Sequence, residues 1–222
     1  MREVWGKGRE LVRPDALIVS ASKGIEVGSG KLVSEILMET LPREMHDRLC
    51  CLSGPSFAKE IAERRPTAVS LAARNETYAI AAQTLISSPE FRCYTTGDVV
   101  GVELGGALKN VIAIAICVAD GLEAGLNSRA ALITRGLAEI TRLGVAMGAN
   151  PVTFLGLSGV GDLVLTCTGD LSRNRRVGLE IGRGKTVDEV LGGLTQVAEG
   201  VRTARSAYEL AQKLGVDMPI TT

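Results

Sequence analysis

DVVGVELGGALKNVIAIAICVADG, residues Asp98 to Gly121, holds the longest apolar run of the chain, and its reading decides how the rest is arranged. Asp98 suits the start of a helix and Gly121 its end, while the stretch from Val111 to Ala119 is apolar on every face, which predicts a helix buried all round. A bilayer span needs about 20 apolar residues, and Glu103 and Lys109 interrupt the run before that length, so no membrane span is expected. Helical neighbours lie three and four positions apart, so Lys109 shares its face with Gly105, Gly106, Ile112 and Ala113, none of which offers a carboxylate. Two readings of Lys109 follow. Either its stem lies on the core while the ammonium reaches water, or the two glycines leave a slot in which a ligand approaches the backbone and meets the ammonium.

Upstream of this helix the pattern alternates. Ala16 to Ser20, Leu49 to Ser53, Thr67 to Ala72 and Phe91 to Thr95 read as strands, with helices at Lys31 to Thr40, Phe57 to Glu63 and Glu76 to Ser87. Such alternation implies a mostly parallel, Rossmann-like sheet covered by helices, with ligands beyond the carboxyl ends of the strands. The loops Ser22-Lys23-Gly24 and Gly54-Pro55-Ser56 follow the first two strands and are the ones suited to a ligand. Downstream, strand signals vanish. Ser128 to Met147 reads as a helix capped by Ser128, and Glu199 to Leu214 as another ended by Gly215, with Val201, Ala204, Tyr208, Ala211 and Leu214 near one face. The expected fold is therefore α/β plus all-α, with a partial sheet domain over 1–96 and a helical domain built on the long helix over 97–222.

Composition narrows the partners. Lys plus Arg and Asp plus Glu both number 25 and aromatics are 3%, so neither nucleic acid nor an anionic membrane is expected as partner. Five cysteines without a C-x-x-C pair suggest neither a disulfide framework nor a zinc site, and the cytosol fits best. No charged segment followed by an apolar one opens the chain, so a signal peptide is not supported. His46, the only histidine, sits in a polar stretch and is expected at the surface, which argues against a histidine-based triad or metal site. Gly184-Lys185-Thr186 lacks the first glycine of a P-loop, since position 179 is Leu179, and no G-x-G-x-x-G occurs.

The polar cluster of the helical half runs from Gly156 to Arg176, GLSGVGDLVLTCTGDLSRNRR. Asp162 opens a short apolar helix, either as its cap or as a functional carboxylate. Ser172 suits the N-cap of the next helix, whose first turn is Arg173, Asn174, Arg175 and Arg176. Cations at that end cost about 0.3 to 1 kcal/mol each, so three together imply full solvation or a bound anion such as a phosphate.

Six motifs in order make the chain resemble the bacterial-type NAD(P)-dependent glycerol-3-phosphate dehydrogenases. They are SKGIE from Ser22, GPSFAKE from Gly54, GALKN from Gly106, GVGDLVLTCTG from Gly159, SRNRRVG from Ser172 and VAEGVRTA from Val197. The resemblance implies an oxidoreductase of glycerol 3-phosphate and dihydroxyacetone phosphate that uses NAD or NADP and supplies glycerophospholipid precursors. It implies Lys109 as the proton acceptor, oriented by Asp162. Lys23, Gly54, Ser56, Asp162, Ser172, Arg173 and Asn174 match its substrate contacts, and Lys23, Ala58, Arg173, Val197 and Glu199 its cofactor contacts. No metal is implied, and a homodimer is compatible. The family opens with a βαβ unit carrying the glycine fingerprint and continues beyond Thr222, so the sequence reads as a fragment. Alone it is expected to lack dehydrogenase activity and to bind NADH or NADPH weakly. A different class of reading is a catalytically silent module that binds a triose phosphate or only dimerises.

Overall fold

The computed structural model describes residues 1–193 and 198–221. A short helix α1 (Arg2–Gly8) precedes β1 (Ile18–Ser20), α2 (Val33–Thr40), β2 (Leu49–Ser53), α3 (Ala58–Ala62), β3 (Thr67–Ala73), α4 (Glu76–Ile86) and β4 (Phe91–Thr96). The helical part follows as α5 (Val99–Gly121), α6 (Gly125–Ala146), α7 (Asp162–Thr168), α8 (Arg173–Gly182), α9 (Val187–Gly192) and α10 (Glu199–Leu214).

The sheet order is β1-β2-β3-β4. β1 and β2 pair parallel, as do β3 and β4, but β2 and β3 pair antiparallel, which corrects the parallel expectation at that step. The reason lies in the connection. Residues 54–66 contain only the five-residue α3, none of whose residues is buried, so no helix packs back across the sheet as a parallel crossover needs. Between β3 and β4, by contrast, α4 buries Ala79 and Ala82 on the sheet, together with Val69, Leu71 and Cys93.

Helix α5 is the axis of the rest. The Asp98 side chain accepts the Gly101 N–H at 2.9 Å, as the sequence predicts, and no residue of α5 is exposed. Leu104, Leu108, Ile112 and Ile116 meet Ile140 and Leu143 of α6, Phe154, Leu163 of α7 and Leu210 of α10. Full burial of each such side chain contributes about 1.5–3 kcal/mol, which is why α5 holds together despite its buried polar residues. By length and composition α5 is apolar enough to cross a membrane, yet 78% of its most apolar window is buried inside the protein. Ile25 and Leu32, from the loop that leads into α2, lie in this same core, so that loop packs with the helical part although it precedes β2.

Two sequence expectations need correction here. Helix α6 begins at Gly125, not at Ser128, and the cap position is Ala124. The turn from α5 is only three residues long, and Arg129 Nε meets Asp120 Oδ1 at 2.8 Å across it, so the chain is already helical at Ser128. On α10 the buried face is Gly200, Thr203, Ser206, Ala207, Leu210 and Ala211, while Tyr208 and Leu214 are exposed. The helix lies so close to α5 that a Cβ at Gly200 would come within 2.6 Å of the Asn110 carbonyl oxygen, and small residues fill that face instead of the larger apolar ones.

Helix α8 approaches α5 in the same way. A Cβ at Gly178 would overlap the Ile114 carbonyl and stand 2.7 Å from Cys117 Cβ, and one at Gly182 would stand 2.9 Å from Gly121 Cα. Gly178→Ala is therefore expected to destabilise the protein by about 1–3 kcal/mol, the usual cost of overpacking, even though alanine favours helix by about 1 kcal/mol. Gly192→Ala, with nothing within 4 Å, should be neutral or stabilising. Equal urea midpoints for Gly178→Ala and the unmodified chain would overturn this account of the contact.

Candidate active site

A cavity of about 610 Å³ opens where the exits of β1 and β2 face α5, α7, α8 and the start of α10. Lys23, Ser56, Ala58, Lys109, Ser172, Arg173, Asn174 and Glu199 reach its wall, and Leu52, Phe57, Ile61 and Phe91 give it an apolar flank. Of the expected site residues, Val197 lies outside the described residues. Gly54 is buried against Val69, with a positive φ of 150° and a virtual Cβ 2.9 Å from Val69 Cα, so it shapes the turn while Ser56 reaches the cavity.

Lys109 does not reach for water. It is 8% exposed, and its Nζ donates to Asp162 Oδ1 at 2.8 Å and to Thr166 Oγ1 at 2.7 Å. Thr166 can accept there because its own proton goes to the Asp162 carbonyl oxygen at 2.7 Å. The other Asp162 oxygen takes Lys23 Nζ at 2.5 Å, joining residues 139 apart in sequence. Two ammoniums thus share one buried carboxylate. Burial first, then the Lys23 charge, pushes the Lys109 pKa below the ordinary lysine value, against the pull of Asp162. Asp162 does open α7, but its carboxylate goes to the lysines and, among the described residues, caps no N–H, which removes the capping reading.

The slot expected beside Lys109 is filled by protein. The virtual Cβ of Gly105 overlaps the Ser158 carbonyl, and that of Gly106 overlaps Ser53 Oγ and lies 3.4 Å from the Lys23 stem. The glycines let other backbone segments close on α5, so the ammonium is reached from the cavity.

Ser172 caps α8 as expected, its Oγ accepting the Arg175 N–H at 3.1 Å. The three arginines of that first turn have different surroundings: Arg175 meets Asp170 at 3.2 Å, Arg176 is exposed, and Arg173 stands on the cavity wall. Asn174 Nδ2 donates to Asn110 Oδ1 at 2.8 Å and Asn174 Oδ1 accepts the Gly200 N–H at 3.1 Å, while Asn110 Nδ2 donates to Glu199 Oε2 at 3.3 Å. Through Asn110, next to Lys109, the first turns of α8 and α10 are fixed to α5.

Sequence reasoning missed Thr166, Asn110 and the apolar flank. Thr166 stands one helical turn after Asp162, so helical spacing alone could have paired them on one face. The flank carried no such signal, because Leu52 comes from β2, Phe57 and Ile61 from the cap and body of α3, and Phe91 from β4. His46 is half-buried, with Nε2 3.1 Å from the Leu41 carbonyl oxygen, and lies away from this cavity wall.

The family model described as NAD-dependent glycerol-3-phosphate dehydrogenase C-terminus matches residues 98–222, and its N-terminus counterpart matches 1–79. Curated glycerol-3-phosphate dehydrogenases [NAD(P)+] of Geobacter sp. (strain M21) and Geobacter metallireducens are 60% and 56% identical over 99% and 100% of the chain. The chain spans 66% of the length of each. A crystal structure of glycerol-3-phosphate dehydrogenase from Coxiella burnetii superposes with a TM-score of 0.92 at 40% identity, covering 99% of this chain and 66% of that one. The Saccharomyces cerevisiae enzyme gives 0.83 at 29% identity, with 99% and 66% covered. On these matches and on the motifs that its cavity brings together, the chain belongs to the NAD-dependent glycerol-3-phosphate dehydrogenase family.

Proposed function

We propose that this chain carries the substrate-binding and proton-transfer centre of a dehydrogenase that interconverts glycerol 3-phosphate and dihydroxyacetone phosphate, in supply of glycerophospholipid precursors. The observation that carries it is Lys109 Nζ, buried between Asp162 and Thr166 at the wall of a cavity that also receives Arg173 and the N-terminus of α8. In the reducing direction Lys109 donates a proton to the carbonyl oxygen as that oxygen gains charge. In the oxidising direction the neutral amine takes the hydroxyl proton, and its lowered pKa makes that form available at lower pH than for an ordinary lysine. Asp162 and Thr166 hold Nζ in place, and the excess positive charge of Lys23 and Lys109 over Asp162 favours an anionic substrate. Arg173 and the first turn of α8 hold the phosphate.

A nicotinamide cofactor, NAD or NADP, would supply or accept the hydride when bound. The residues present fit its ring end: Leu52, Phe57, Ile61 and Phe91 offer a flat ring an apolar surface beside the polar cluster. Lys23, Ala58, Arg173 and Glu199, on the same wall, are the residues we assign to it. The five free, buried cysteines support a reducing compartment, the cytosol, and a homodimer belongs to the same reading.

Titration calorimetry with dihydroxyacetone phosphate tests the proposal without a cofactor. Arg173→Ala should weaken binding roughly 10- to 150-fold, the worth of about 1.5–3 kcal/mol for a charge-assisted hydrogen bond. Unchanged affinity in that variant would remove the phosphate role, and no binding to the unmodified chain would remove the substrate.

A further inference from the structure

Glu103 is a buried carboxylate that the proton-transfer chemistry does not use. It stands on α5 six residues before Lys109, 8% exposed, and its two oxygens accept the Ser34 N–H at 2.8 Å and the Ser34 hydroxyl at 2.5 Å. Ser34 lies in the first turn of α2, where free N–H groups favour an anion. Beyond Ser34, the groups that face Glu103 are Glu35 of α2 and the Cys51 thiol of β2. Burial raises the Glu103 pKa against the two Ser34 bonds.

The segment that this contact closes is the one that carries Lys23. Residues 21–32 leave β1 at Ser20, which pairs with Cys51, and return to α2 at Val33. Between those ends Ile25 bridges Leu32, both side chains enter the core around α5, and Lys23 reaches Asp162. The loop is thus tied to α5 at its distal end by Glu103 and to α7 at its near end by the lysine's own ion pair.

We infer that Glu103 is a positioning residue: by gripping Ser34 it fixes the 21–32 loop so that Lys23 stays on Asp162 and shares that carboxylate with Lys109. This rests on the proposed function for its catalytic meaning, but its geometry and its test do not. If the grip is lost, Lys23 withdraws, and Lys109 loses a like charge and gains sole use of Asp162. Both changes raise the Lys109 pKa. Direct electrostatics has the opposite sign, because deleting a nearby carboxylate lowers the pKa of a lysine. The titratable groups facing Lys109 are Asp162 from α7, Lys23 from the loop and Glu199 from α10.

The test is ¹³C NMR titration of the lysine side chains in the full chain, with the Lys109 signal identified from Lys109→Met. Glu103→Ala should raise the Lys109 pKa by about one unit or more, the scale of a neighbouring charge. Glu103→Gln, whose amide can accept the Ser34 N–H and donate to its hydroxyl oxygen, should restore the original value. A Lys109 pKa that falls or stays in place in folded Glu103→Ala overturns the inference, as does an equal rise in Glu103→Gln. Should Glu103→Ala fail to fold, Ser34→Ala removes one of the two bonds and must shift the pKa in the same upward direction, or the inference falls. Failure of the functional reading would show separately, as absence of dihydroxyacetone phosphate binding in the unmodified chain.

Discussion

Lys109→Met is expected to lower turnover by roughly 10²- to 10⁴-fold, the usual worth of a positioned acid or base, while leaving the protein folded. Methionine matches the length of the lysine stem, so the packing of α5 survives, and it removes the group proposed to carry the proton. The measurement is the rate of NADH or NADPH oxidation with dihydroxyacetone phosphate in a chimera that takes the remaining third of its length from the Geobacter sp. relative. Since burial and Lys23 lower the Lys109 pKa, glycerol 3-phosphate oxidation by the unmodified chimera should rise through a pKa below the ordinary 10.5, and reduction should fall above it. A variant within threefold of the parent would end the assignment of Lys109.

Asp162→Asn should cost about 3–5 kcal/mol of stability at pH 7, because it leaves two ammoniums facing a neutral amide in a buried site. Their side chains are only 17% and 10% exposed, so water screens them little. The sign with pH follows from linkage. Without Asp162 the folded-state pKa of Lys109, already lowered by burial, falls further below the unfolded one, the unfolded chain binds more protons, and stability recovers as pH rises through that gap. Urea midpoints at pH 7 and pH 10 measure it. A loss under about 1 kcal/mol at pH 7, or a loss that grows with pH, contradicts the shared-carboxylate account.

Much of the architecture was legible because local chemistry reported it. Asp98 caps α5 and Ser172 caps α8, and α10 ends at Gly215 with φ 64°, each as its residue type demands. β2 runs from Leu49 to Ser53 as read, and β3 and β4 each extend one residue beyond the expected end. What periodicity could not report was distance. The sequence of α10 shows an apolar stripe through Tyr208, but which face is buried depends on how near α5 comes, and that is set by Gly200 against Asn110. The antiparallel step from β2 to β3 was hidden for a related reason, since α3 has helical sequence but covers nothing.

The site was legible as a set of residues and illegible as a geometry. Lys109 and the Ser172 to Asn174 turn stood out as chemical oddities, a lysine in an apolar helix and cations at the wrong end of a helix. Nothing in the spacing of Lys23 and Asp162 foretold their 2.5 Å contact, because the chain between them folds through the other three strands and two long helices first. The resemblance named the candidates, and the fold supplied the pairing.

The glycine contact between α8 and α5 turns helix α8 into a lever. Gly178 is five residues from Arg173, a helical span of about 7.5 Å at 1.5 Å per residue. A tilt of about 8° at that fulcrum would carry the arginine roughly 1 Å, and a 1 Å misplacement can cost about 10²-fold in rate. Gly178 and Gly182 touch the backbone of α5 and perform no chemistry, yet on the proposed reading of Arg173 as the phosphate contact their missing side chains would set, through that arm, the accuracy with which the phosphate end of the substrate is held.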